Sequence, residues 1–182
     1  MVDGKQESLW VLRAQVGSRE ALECLLKAVQ EPLYRYIVGL VGNQSLAEDI
    51  LQEVLLQIYQ KLRWLRDAEL FRPWCFRIAT RQAFRRLKRE RRWTDLHGPE
   101  SLEGIEANEE ATTAEPQLLA SLPKMLDQVS PASRAVLALH YQNQLSLDEV
   151  AAVLGISLGT TKSRLSYGLS TLRQLVRREN GP

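Results

Sequence analysis

Between Phe71 and Trp93 the chain sets flat rings among cations. Phe71, Trp74, Phe76, Phe84 and Trp93 stand with Arg72, Arg77, Arg81, Arg85, Arg86, Lys88, Arg89, Arg91 and Arg92, and Glu90 is the only acid among them. Guanidinium and ammonium groups attract phosphate and aromatic faces stack on bases, so this mixture suits a surface that holds single-stranded or melted nucleic acid. Arg77, Arg81, Arg85 and Lys88 recur at helical spacing, which lays a cationic ridge along one face, able to follow a phosphate backbone. Composition alone leaves a second reading open, a solvated amphipathic helix whose arginines keep it soluble. Trp74, at the start of such a helix, is expected in the core rather than on a base.

A second group of residues could read a duplex. Ser146, Leu147, Asp148 and Glu149 form a capping-box pattern ahead of a short helix with Leu147, Val150, Ala151 and Leu154 on its inner face. Gly155 permits a tight turn, Ile156 plugs it, and Ser157 can cap a further helix running through Leu165, Leu169, Leu172 and Val176. Short helix, glycine turn and longer helix make a helix-turn-helix, whose second helix lies in the major groove with its first residues on the base edges. Leu158, Gly159, Thr160, Lys162, Ser163, Arg164, Ser166 and Tyr167 would form its outward side and early turns, with Lys162 the foremost candidate for a DNA contact.

Catalytic chemistry is not expected. No nucleophile stands with a base, and no glycine-rich phosphate loop is present. Cys24, Cys75, His97 and His140 are isolated, without metal-ligand spacing, so neither a metal nor a cofactor is implied and the thiols are expected to be reduced.

The scaffold that must position these groups reads as helical throughout. Leu9, Leu12 and Val16 suggest a short first helix. Ser18 opens the next, with Leu22, Leu25, Leu26 and Val29 on one face. Pro32 interrupts the period and Leu33, Tyr36, Ile37 and Leu40 resume it, giving one kinked helix or two short ones ending at Gly42 and Asn43. Ser45 to Glu48 reads as another capping box before a helix whose buried stripe is Ala47, Ile50, Leu51, Val54, Leu55, Ile58, Tyr59 and Leu62. Glu48, Asp49, Gln52, Glu53 and Gln57 share its outward side, solvated or facing a partner.

From Thr94 to Pro116 the charge reverses: Asp95, Glu100, Glu103, Glu106, Glu109, Glu110 and Glu115 appear without a Lys or Arg, together with Gly98, Pro99 and Gly104. No apolar period runs through the stretch, which marks it as a linker. A second unit begins near Gln117, with Leu118, Leu119, Leu122, Met125, Leu126 and Val129 at helical spacing. Ser130 and Pro131 then supply an N-cap and a first-turn proline for a helix bearing Ala135, Val136, Leu139 and His140. Over 182 residues the formal net charge is only +2, so charge is segregated rather than scarce. The first residues lack a secretory pattern and no run is long enough to span a bilayer, so a cytoplasmic protein without membrane insertion is expected.

The runs AEDILQEVLLQIYQKL and FRPWCFRIATRQAFRRLKR resemble region 2 of the sigma-70 family, specifically the small extracytoplasmic-function (ECF, group 4) sigma factors of bacterial RNA polymerase. The string LSLDEVAAVLGISLGTTKSRLSYGLSTLR resembles region 4, its core running from Gly159 to Leu165. The resemblance implies an all-α protein of two small helical domains: residues 1–93 as region 2, 94–116 as an acidic flexible linker, and 117–182 as the region 4 helix-turn-helix. It implies core RNA polymerase docking through Asp49, Gln52 and Glu53. It implies minus-10 element binding and melting through Trp64, Phe71, Arg77, Arg81, Arg85 and Lys88, and minus-35 element binding through Thr160, Lys162, Ser163, Arg164, Ser166 and Tyr167. Partners would be core RNA polymerase, promoter DNA and an anti-sigma factor.

Four positions depart from the family pattern. Pro73 replaces a small or aliphatic residue, Arg81 an asparagine, and Tyr167 and Gly168 an arginine and an alanine. The expected function is transcription initiation; a helix-turn-helix regulator with another sensory domain, or a polymerase-binding antagonist without initiation activity, are the alternatives.

Overall fold

The computed structural model describes residues 4–89 and 125–179. Helix α1 (Gly4–Gln15) precedes α2 (Arg19–Val41), α3 (Gln44–Lys61) and α4 (Phe71–Arg89), and two 3-10 turns, Leu62–Trp64 and Ala68–Leu70, link the last two. After the undescribed stretch come α5 (Pro131–Leu137), a π turn (Ala138–Gln142), α6 (Leu147–Leu154) and α7 (Leu158–Glu179). No strand occurs among the described residues, so the all-α expectation holds. The acidic linker, Arg91, Arg92, Trp93, His97 and the leucines at 118, 119 and 122 lie outside them.

Helix α1 forms as the spacing suggests, but with the other face inward. Glu7 and Val11 are buried, while Leu9, Leu12 and Val16 are 41%, 55% and 86% exposed. Leu9 and Leu12 line an open groove with Ala68, Arg72, Pro73 and Leu145. What turns the helix over is an ion pair: Arg72 Nε and Nη2 donate to the two Glu7 carboxylate oxygens at 2.8 and 2.7 Å. A charged residue holds the inward position because its partner neutralises it there.

Helix α2 starts where Ser18 Oγ accepts from the Ala21 amide and ends at Gly42, whose φ of 67° lets its own amide reach back to the Val38 carbonyl. Pro32 lies inside a single helix. It removes one backbone donor, a loss offset by the burial of Val29, Leu33, Tyr36 and Ile37 on either side. Helix α3 begins two residues before the expected capping box: Asn43, not Ser45, is the N-cap, its Oδ1 accepting from Leu46 N at 2.9 Å. Asparagine and serine cap about equally well, but Asn43 has the extended backbone of a cap and lies one residue past the glycine that ends α2. Tyr59, expected in the buried stripe of α3, is 59% exposed.

Helix α4 is buried around about half its circumference, through Phe71, Cys75, Ile78 and Gln82 on one side and Phe76, Ala79, Thr80, Ala83 and Leu87 on the next. Tyr36 fastens it to α2. The Tyr36 hydroxyl donates to Thr80 Oγ1 at 2.8 Å, leaving that hydroxyl to donate to the Phe76 carbonyl, and the Tyr36 and Phe76 rings meet edge to face at 5.4 Å. Burial pushes the Tyr36 hydroxyl pKa well above its ordinary value. Burial raises the Cys75 thiol as well, with Glu7 adding to the shift and Arg72 opposing it.

In the C-terminal half, Ser130 Oγ accepts from Ser133 N and Pro131 takes the first turn, as the sequence suggests. The π turn after α5 is closed by Asn143 Nδ2 on the Ala138 carbonyl and by His140 Nδ1 against the Leu145 carbonyl. Helices α5 and α7 cross closely at Gly168: a Cβ there would come 2.9 Å from Leu137 Cδ1 and 3.4 Å from Ser133 Cβ. Gly168 therefore lies in the packed crossing, where an added Cβ would require the Leu137 side chain to shift.

The two halves share one apolar core. Ala135, Val136, Leu139, Leu145, Val150 and Val153 belong to the same buried cluster as Val11, Leu25, Phe71 and Cys75. Helix α6 packs on α4, and α5 on α2.

Candidate nucleic-acid interface

Charge on α4 is sorted by position. Arg72 and Arg86 fall within the buried arc and are tied to acids on neighbouring helices, Arg72 to Glu7 and Arg86 to Glu53. Arg77, Arg81, Arg85 and Lys88 fall on the open arc, all exposed. Four cations spaced three or four residues apart thus stand clear on one face, a geometry suited to successive phosphates. Trp74, expected in the core, lies on the edge of this arc: it is half-buried, packs on the core and sits 6.3 Å from the Phe71 ring.

The loop between α3 and α4 carries the most exposed large ring of the described residues. Trp64 ends the first 3-10 turn at 67% exposed, with the Arg63 guanidinium 4.4 Å from its ring centroid. A cation over one indole face leaves a broad apolar surface on which a base can stack. Phe71, proposed from sequence for the same task, is only 1% exposed and belongs to the core. Its ring lies at the start of α4, which leaves Trp64 as the exposed one of the two.

On α3, Asp49 and Gln52 are exposed, and the same face continues through Leu56 and Tyr59, 55% and 59% exposed. The stripe therefore mixes polar and apolar side chains. Periodicity places Tyr59 inward and does not single out Leu56, although the 49, 52, 56, 59 spacing puts both on one face. Glu53 lies beside the stripe, partly engaged by Arg86.

The helix-turn-helix is built as its sequence pattern suggests. Ser146 Oγ accepts from Glu149 N while Glu149 accepts from Ser146 N, and Gly155 adopts φ 69° to end α6. Ser157 Oγ accepts from Thr160 N at 3.0 Å, and the buried Thr161 donates its hydroxyl to the Ser157 carbonyl. Thr161 thus locks the first turn of α7, and its neighbours Thr160 and Lys162 are exposed. Ser163, Arg164 and Ser166 are half-buried, and Tyr167 is 41% exposed. No group of His, Cys, Asp or Glu suited to a metal occurs among the described residues, and no described helix is long and apolar enough to cross a membrane.

Two family models match the chain. A family model described as Sigma-70 region 2 fits residues 25–93, and one described as Sigma-70, region 4 fits residues 125–174. The chain is 32% identical over 165 residues to the ECF RNA polymerase sigma factor SigL of Mycobacterium tuberculosis, covering 86% of this chain and 92% of that one. It is 30% identical to the ECF RNA polymerase sigma factor SigE of Mycolicibacterium smegmatis, the match spanning 84% of this chain and 60% of the relative's length. In fold it is similar to the sigma factor RpoE of Bartonella quintana, solved with the anti-sigma factor NepR, at a TM-score of 0.67 and 21% identity over 85% of this chain and 95% of that one.

Proposed function

This chain belongs to the sigma-70 family, in its ECF group, and from that premise we infer that it is a transcription initiation factor that binds core RNA polymerase, directs it to promoters and helps open them. Its work lies in binding, and phosphodiester chemistry stays with the polymerase. Its place is the cytoplasm, where polymerase and promoters meet. Residues 1–93 serve core docking and the minus-10 element, 94–116 a linker, and 117–182 the minus-35 element.

The observation that carries the reading is the exposed ridge of Arg77, Arg81, Arg85 and Lys88 beside the exposed Trp64. Opening a duplex without ATP requires the freed bases to be held well enough to offset lost stacking, and a ring contact supplies about 1 to 3 kcal/mol per base. The ridge holds backbone and Trp64 holds a base. Asp49 and Gln52, extended by Leu56 and Tyr59, form the docking face for core polymerase. Thr160, Lys162, Ser163, Arg164, Ser166 and Tyr167 meet the upstream duplex. By analogy with the RpoE–NepR pair, an anti-sigma factor is a further partner.

The test mixes the purified protein with core polymerase and a library of promoter fragments. Specific transcripts are expected; their complete absence with core binding intact would sink initiation and leave an antagonist. Asp49→Ala with Gln52→Ala should abolish binding to core, read by co-elution, while the helix-turn-helix keeps its affinity for duplex DNA.

A further inference from the structure

We propose that α1 is the positioning strut of the base-capturing loop, and that Gln15 sets the orientation of Trp64. Helix α1 lies ahead of the stretch matched to region 2, which begins at residue 25, and none of its residues is among those assigned to core docking or to DNA.

Its two inward polar residues grip opposite ends of the loop. Gln15, the last residue of α1, uses both N–H groups of its amide on the loop's first carbonyls: Nε2 donates to Leu62 O at 3.0 Å and to Leu65 O at 2.7 Å. Those carbonyls flank Arg63 and Trp64, and the Leu65 amide also returns to the Leu62 carbonyl at 3.0 Å. The turn that presents the indole is therefore closed from within and pinned from outside. Two turns earlier on α1, Glu7 takes the bidentate pair from Arg72 at the far end of the loop, with only 5% of the carboxylate side chain exposed. The second 3-10 turn packs on α1 between these two points.

A ring that stacks on a base in passing needs no such bracing; one that must meet a base at a fixed place does, because a misplaced group forfeits the contact. Leu62 and Leu65 anchor the loop through the core and the Leu65 amide closes the turn, but neither stops the Leu65 carbonyl from rotating. Gln15 removes that freedom. The adjacent cations, Arg63 and Arg66, are exposed, and Gln15 is the side chain that donates to these carbonyls.

The proposal rests on the assignment of Trp64 to base capture, and the experiment separates the two. Holoenzyme is assembled with the wild-type chain, Trp64→Ala, Gln15→Met, which keeps the length and loses both donors, and Gln15→Lys, which restores N–H donors. Promoter opening is followed by the fluorescence of 2-aminopurine in the minus-10 element at saturating DNA, together with closed-complex affinity, core binding and the melting temperature. Gln15→Met should slow opening about tenfold, the scale of two lost hydrogen bonds, with closed-complex affinity and core binding unchanged, and Gln15→Lys should recover most of the rate. Normal opening by Gln15→Met while Trp64→Ala is slow overturns the strut. Normal opening by both overturns the base-capture assignment and the strut with it. A loss in Gln15→Met shared equally by core binding and closed-complex affinity, or not recovered by lysine, reduces Gln15 to a stabilising residue and also overturns the proposal.

Discussion

Single residues carry both the function and its departures from the family pattern. Lys162 is exposed one position after the buried Thr161 that locks the recognition helix, so its ammonium stands off a rigid first turn. Lys162→Ala should weaken binding to the upstream element by about 1 to 3 kcal/mol and relax selectivity at one base position, measured by fluorescence anisotropy against single-base variants. A uniform loss across all sequences would mean that Lys162 meets phosphate instead. Gly168 shows how a residue's role can be hidden from its sequence neighbours. Within α7 it looks like a weak spot costing about 1 kcal/mol relative to alanine, yet it is where Leu137 lies so close that a Cβ would make its side chain shift. Phe71 and Tyr59 make the same point in opposite directions, because whether a ring faces a core or a partner depends on helices that contact it from elsewhere in the chain.

Elements were the most legible scale. The helix-turn-helix could be written down from Ser146, Glu149, Gly155 and Ser157, since each acts within one turn of its own position. The cationic ridge was legible for the same reason, as period and charge fix it without knowledge of neighbours. Inter-helix pairings were not. The sequence does not say that Arg72 seeks Glu7 or Arg86 seeks Glu53, so neither the inverted face of α1 nor the partial engagement of Glu53 could be read in advance. The joint between α2 and α4 has a pH signature. Tyr36 and Cys75 both have pKa values raised by burial in the folded chain, so their stabilising contribution is complete below their unfolded values and shrinks as pH rises above them. Urea midpoints should therefore fall steadily from about pH 9 upward. Replacing both residues, as Tyr36→Phe with Cys75→Ala, should flatten that alkaline slope while lowering the midpoint at pH 7; an unchanged slope would remove both from its cause.

At the scale of the molecule, α6 lies against α4 and the halves share a core. Packed helices have axes about 8 to 10 Å apart. The minus-10 and minus-35 elements, about 25 base pairs apart by their names, are separated by about 85 Å of duplex at 3.4 Å per pair. On the proposed assignment of α4 to the minus-10 element and α7 to the minus-35 element, one molecule cannot engage both while α4 and α6 touch. Dyes on cysteines introduced at the exposed Gln60 and Gln174, with Cys24 and Cys75 replaced by alanine, should report a longer separation on promoter-bound holoenzyme than on the free chain. An unchanged distance would refute the need for opening. The contact between α4 and α6 therefore sets a population as well as a shape. If the packed form is favoured by about 2.7 kcal/mol, roughly one free molecule in a hundred is competent at any moment, and its apparent Kd for an extended promoter is about a hundredfold weaker than the intrinsic one. Loosening that contact should raise promoter affinity while lowering the melting temperature, the reverse of what a destabilising substitution ordinarily brings.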